Sequence, residues 1–238
     1  AVFIGAFGVG VSANEAFAAT MAEVPILGSL VKVFTTKEVH NSDNGIITDM
    51  KIPGIEGLKD KKLQEKINKE VYDKVNRVTE ETKQQMLQDK EAYLATGGTE
   101  EDYMPLEIQV DFEVKCINKD TLSFLVWKTG SSASAYFEQY YYNYDLNENK
   151  ELTLEDLLGE DYITTANKQI SDEIAERSKN PDNIYWDGSD GLDGFQTITK
   201  DQPFYINQKG NPVIVFNKYE IAPGYMGIQE FEITKNPS

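Results

Sequence analysis

Cysteine, histidine and arginine are nearly missing from this chain of 238 residues. Cys116 is the only cysteine, so no disulfide can close within the chain. His40 is the only histidine, and neither a catalytic triad nor a histidine-rich metal site can be built from it. Arg77 and Arg177 are the only arginines, and the 23 basic residues face 40 acidic ones, a net charge of −17. That balance argues against nucleic acid, whose phosphates are held by Lys and Arg. It disfavours an anionic membrane surface for the same reason. No apolar run reaches the ~20 residues that a membrane-spanning helix needs. The patterns G-x-S-x-G, H-E-x-x-H, the P-loop and C-x-x-C do not occur.

What is present is enough apolar material for a core. Hydrophobic residues make up 40% of the chain, which argues against disorder. The length fits one large domain or two small ones. An acidic surface keeps a protein soluble, and it also raises the encounter rate with a basic partner.

Ala1 to Val11 is apolar and glycine-rich, and no charged residue precedes Glu15. Ala16-Phe17-Ala18 follows, with the small–x–small pattern of a signal-peptidase site before Ala19. This order reads as the end of a membrane anchor followed by an extracytoplasmic domain; the plainer reading is an Ala-rich helix. Three segments are expected: an anchor remnant at 1–18, a leading segment with the first strands at 19–57, and the main domain at 58–238, continuous with 30–57.

Leu30 to Thr36 and Ile46 to Ile52 read as strands, the second closed by Pro53-Gly54 and Gly57. His40, near the polar Asn41 to Gly45 stretch, is expected at a strand end. From Leu58 to Ala95 the spacing of Leu63, Ile67, Val71, Val75, Val78 and Met86 predicts one long amphipathic helix. Leu106, Ile108, Val110, Phe112, Val114 and Cys116 alternate as a strand, which makes the lone cysteine a buried apolar residue. Thr121 to Lys128 and Tyr136 to Leu146 continue a meander. Tyr136, Tyr140, Tyr142 and Tyr144 share one strand face, a core surface in the ordinary reading and a carbohydrate platform in the sharper one. Thr153 with Asp156 marks a helix start, and a helix is expected over 161–178. The class is α+β, with one long and one shorter helix on a mostly antiparallel sheet.

Two carboxylate groupings invite chemistry. Asp187, Asp190 and Asp193 could ligate calcium, but their spacing is not that of an EF-hand, and a solvated loop is the simpler reading. Glu151, Glu155, Asp156, Glu160 and Asp161 resemble a glycosidase pair only in number; acidic residues at a helix start favour the helix dipole.

At the carboxy-terminal end, Val213 to Phe216 reads as strand, Pro223-Gly224 as turn, and Phe231 with Ile233 as a half-buried strand alternating with Glu230 and Glu232. The turn carries Pro223, Tyr225 and Met226, none of which is a usual solvating residue. This hairpin, the Pro25 to Phe34 segment and the Tyr144-Asp145 to Leu157 pattern resemble the extracytoplasmic lysozyme-sensing domain of RsiV-type anti-sigma factors. The module is shared with some peptidoglycan deacetylases, where it is non-catalytic. The resemblance implies a non-enzymatic, cofactor-free receptor domain on a single-pass membrane protein. Its implied partners are lysozyme, signal peptidase, an intramembrane protease and an extracytoplasmic-function sigma factor. The contact residues expected are Ser132 and Ser134 in one loop and Pro223, Tyr225 and Met226 in the other, both on one sheet and side by side. A cell-wall binding module is the alternative.

Overall fold

The computed structural model describes residues 31–100, 102–103, 106–131, 136–189 and 191–235. The chain divides after Lys150 into two compact units.

The first unit is built on a sheet of six strands in sequence order. They are β1 Lys32–Asp43, β2 Ile46–Glu56, β3 Leu106–Ile117, β4 Thr121–Ser131, β5 Tyr136–Asp145 and the two-residue edge strand β6 Lys150–Glu151. Asn44 and Gly45 both have positive φ, at 52° and 77°, which makes the tight β1–β2 turn. β2 and β3 run parallel, with Ile46 opposite Leu106 and Met50 opposite Val110. A parallel pair requires a crossover. Helix α1, Lys61–Ala95, supplies it. At 35 residues it is about 52 Å long, at ~1.5 Å per residue.

Asp60 starts α1 by accepting from the amides of Lys62 and Leu63. Its buried stripe, Leu63, Ile67, Val71, Val75, Val78 and Met86, is the one the spacing predicts. Most of it joins a core with Ile52, Ile108, Leu122, Phe124, Val126, Tyr142 and Tyr144. Phe124 and Tyr142 stack at 4.8 Å. Tyr142 and Tyr144 of β5 are therefore core, and half-buried Tyr140 packs against them. Cys116 is fully buried, and burial pushes its thiol pKa up.

Two expectations need correction here. β2 does not stop at Pro53-Gly54 but runs on to Glu56. Its pairing with β3 ends at Met50, so Pro53 meets only β1, beside a bulge between Thr35 and Lys37. Thr36 at that bulge lies over Gly54, where an added Cβ would come within 2.1 Å of its methyl carbon. The end of β2 is held instead by α1: Asn68 accepts from the Ile55 amide at 2.7 Å and donates to the Ile55 carbonyl at 2.9 Å. His40 does not mark a strand end. It lies within β1, opposite Asp49 on β2, and bonds to it. That hydrogen bond, reinforced by the Asp49 charge, raises the imidazole pKa.

One charge is buried beneath α1. Lys128 on β4 donates to Thr82 of the helix and to Glu138 on β5 at 3.0 Å. Tyr140 also donates to Glu138. Burial pushes the Glu138 carboxyl up, but the bonds from Tyr140 and Lys128 and the nearby lysine charges outweigh it and hold the group below its ordinary value.

The second unit begins with a capping box. Thr153 and Asp156 exchange bonds at the start of α2, Leu154–Leu158. Helix α3, Tyr162–Arg177, follows and buries Tyr162, Ala166 and Ile170 at i, i+4 spacing. These pack with Ile198, Ile214, Phe216, Ile221, Phe231 and Ile233. Phe216 meets Phe195 and Phe231 edge-on at 5.5 and 5.7 Å. The strands are β7 Phe204–Ile206, β8 Pro212–Phe216 and β9 Gln229–Glu232, all antiparallel, with β8 central. They form a sheet of their own, so the expectation of one sheet for the whole chain is wrong. Gln169 of α3 ties down the end of β9 by donating to the Thr234 carbonyl at 2.8 Å and accepting from its amide at 3.0 Å. The class is α+β with one long helix and mostly antiparallel strands, as expected. Among the described residues no helix is long and apolar enough to cross a membrane.

Candidate functional site

The connection from β8 to β9 carries the expected contact residues. After Phe216 the chain turns at Asn217 to Glu220: the Glu220 amide donates to the Asn217 carbonyl at 3.0 Å, and the Asn217 amide donates to the Glu220 carboxylate at 2.7 Å. Ile221 and Ala222 then dip into the core. The Trp186 amide donates to the Ile221 carbonyl at 3.1 Å and fixes the neighbouring loop there. Pro223 at φ −58° leads into a single 3₁₀ turn, Gly224–Met226. The Met226 amide donates to the Pro223 carbonyl at 2.9 Å, and Gly227 at φ 69° reverses the chain into β9.

Burial of Ile221 and Ala222 pushes the next residues outward. Tyr225 is 67% exposed, and its hydroxyl donates to the Asp182 carbonyl at 3.2 Å. Beneath the turn sits a buried amide. Gln229 donates to the Met226 carbonyl at 2.6 Å and accepts from the Tyr185 hydroxyl at 2.7 Å. Tyr185 in turn accepts from Arg177 at 3.4 Å. The Arg177 guanidinium lies 4.5 Å over the Phe231 ring and also donates to the Glu230 carbonyl and to Glu173. The turn is thus braced from α3, from the 182–186 loop and from β9. A rigid, braced aromatic loses little conformational freedom on binding, which suits an interface anchor.

An open cleft of ≈ 530 Å³ runs between α3 and β9, lined by Gln169, Asp172, Glu173, Arg177, Phe231 and Glu232. Among the described residues no group of three or more His, Cys, Asp or Glu is placed to hold a metal ion. Asp187 accepts from the Ser189 amide at 2.9 Å, and bonds from Ser189 hold its carboxyl below the ordinary value.

Of the expected site residues, Pro223, Tyr225 and Met226 lie together on the 3₁₀ turn and its cap. Ser132 and Ser134, Ala16, Ala18 and Ala19, and Asp190 lie outside the described residues. The strands flanking 132–135 belong to the six-stranded sheet and those flanking 223–226 to the three-stranded one, so the shared-sheet argument for placing the two loops side by side does not hold. Sequence reasoning missed Gln229, Tyr185 and Tyr219. Gln229 left a signal: it is a polar residue in the apolar phase of Gln229-x-Phe231-x-Ile233.

Comparison with known proteins follows the same division. Residues 155–236 match the family described as a protein of unknown function, DUF3298. Residues 39–130 match the family described as Deacetylase PdaC. A solved DUF3298 family member from Bacteroides fragilis is 16% identical, with a TM-score of 0.62 over 86% of this chain and 90% of that one. A second, from Pseudomonas aeruginosa, is 13% identical, with a TM-score of 0.51 over 85% of this chain and 89% of that one. Those structures establish the fold alone. The chain is thus an α+β protein in which a stretch that matches the PdaC family precedes one that matches DUF3298. Anti-sigma-V factor RsiV of Bacillus subtilis is 30% identical over 225 residues, which span 94% of this chain and 75% of that protein. The chain belongs to the RsiV family of anti-sigma factors.

Proposed function

We propose that this chain is the extracytoplasmic receptor region of a single-pass anti-sigma factor that binds c-type lysozyme and occludes its cleft. The observation that carries the reading is Tyr225, two-thirds exposed on a turn braced from below by buried Gln229, in a member of the RsiV family. Lysozyme is basic and its cleft is long, and a net charge of −17 favours its approach. Pro223, Tyr225 and Met226 form one contact and the Ser132–Ser134 loop another. This chain does no chemistry; it shields the lysozyme carboxylates from glycan.

Binding then licenses signal-peptidase cleavage after Ala18, within Ala16-Phe17-Ala18-Ala19. Intramembrane proteolysis follows and frees an extracytoplasmic-function sigma factor held by a cytoplasmic region outside these residues. Calorimetry with c-type lysozyme at low and high salt tests the first step, with affinity expected to fall as salt rises. No binding at either salt concentration would sink the reading. Amino-terminal sequencing of the domain shed from lysozyme-treated cells tests the second, with Ala19 expected as the new terminus.

The match of residues 39–130 to the PdaC family favours one other reading, a non-catalytic peptidoglycan-binding module. Sedimentation with insoluble peptidoglycan separates the two: it retains a wall-binding module and leaves a lysozyme receptor in solution.

A further inference from the structure

We propose that Tyr219 is a second recognition residue, forming with Tyr225 a two-ring anchor; this rests on the lysozyme reading above. Tyr219 and Tyr225, at 63% and 67%, are the most exposed large hydrophobic side chains among the described residues. Chain order separates them by a buried Ile221-Ala222 pair, yet the fold brings them together. Gly224, the neighbour of Tyr225, lies against Tyr219 so closely that an added Cβ would sit 2.2 Å from Tyr219 Cζ.

The backbone at Tyr219 is the second observation. Its φ is 71°, in the left-handed region. The other non-glycine residues with positive φ among those described are Asn44 and Asn149. Asparagine tolerates that conformation; a bulky aromatic does not. Strain of this kind persists where the surrounding structure over-determines it, here the closed Asn217–Glu220 turn, and it clusters at functional sites. Burial is not the reason here, because the ring stands in solvent. It touches the bare backbone of Gly224 and takes the Lys218 ammonium at 5.2 Å.

The strained backbone holds the ring up beside the turn instead of letting it fold back onto the core. Two tyrosines fixed this way offer a broad contact with few rotatable bonds, the composition of an interface hot spot. Each ring also presents a π face to the lysine and arginine side chains of a basic partner.

The test is Tyr219→Asn, alongside Tyr219→Phe and Tyr225→Ala, by calorimetry with c-type lysozyme and by thermal denaturation. Asparagine suits the left-handed backbone, so Tyr219→Asn is expected to melt at or above the wild-type temperature. It is expected to weaken lysozyme binding by about tenfold or more, the effect of an anchor residue. Tyr219→Phe keeps the ring and is expected to keep most of the affinity. If Tyr219→Asn binds as wild type does while Tyr225→Ala loses affinity, Tyr219 is no anchor and the lysozyme reading stands. If Tyr219→Asn loses stability together with binding, the ring only props the turn and the proposal falls. If the wild-type protein does not bind lysozyme, both readings fall together.

Discussion

The side-chain amide of Gln229 donates to the main-chain carbonyl of Met226 at 2.6 Å, while its oxygen accepts from the Tyr185 hydroxyl. One buried side chain thus couples the exposed turn to the loop before it and, through Tyr185, to Arg177 at the end of α3. Gln229→Leu keeps roughly the volume and leaves the Met226 carbonyl and the Tyr185 hydroxyl without that partner. The expected loss of stability is roughly 1–3 kcal/mol. Amide exchange at Met226 and Gly227, whose protons close the 3₁₀ turn, should quicken more than exchange in α1. Equal quickening in both would show that Gln229 does not brace the turn.

Tyr225→Ala separates recognition from folding. Its ring is mostly in solvent, so the melting temperature should barely move. Lysozyme affinity should fall by roughly 2 kcal/mol or more if the ring is an anchor. A variant that melts early yet binds normally while folded would mark Tyr225 as a structural residue.

Asn68 acts as a substitute strand for the end of β2. Both of its bonds go to the backbone of Ile55. Asn68→Leu leaves an amide and a carbonyl without their partner, and the expected cost is roughly 1–3 kcal/mol. Urea unfolding with an unchanged slope and a lower midpoint is the expected record.

Lys128 and Glu138 give a pH dependence with a defined sign. The Glu138 carboxyl is held below its ordinary value of 4.5, so the native state favours its ionised form. The stability it contributes is therefore present above that value and is lost as the pH falls through the lower, native one. Glu138→Gln should destabilise the protein at neutral pH, because the buried Lys128 side chain loses its carboxylate partner. The difference from wild type should shrink in acid. Lys128→Met, which removes the buried charge at similar size, should cost less than Glu138→Gln.

The helices were legible because their signals are local. The stripe from Leu63 to Met86 and the cap at Thr153 with Asp156 need only near neighbours in sequence. The end of β2 was not legible, because Pro53 and Gly54 punctuate most strands. Here the bulge at Thr36 and the absence of β3 beyond Met50 remove their usual penalties. The number of sheets was not legible either, since strand pairing is a long-range choice that alternation does not encode. Tyr225 stood out in the sequence as an apolar residue in a turn. Tyr219 did not, because nothing in Asn217-Lys218-Tyr219-Glu220 announces a left-handed tyrosine.

The parallel pairing of Ile46 to Met50 with Leu106 to Val110 joins two parts of the six-stranded sheet that are far apart in sequence. The β1–β2 hairpin closes over Asn44-Gly45, and β3, β4 and β5 form a meander of neighbours. Both parts can form early from contacts short in sequence. Their junction pairs residues on either side of all of α1, and long-range closure of that kind is slow. Refolding followed by stopped flow is thus expected to slow when Ile67 or Val71 is truncated, and to slow little when Gly45 is replaced.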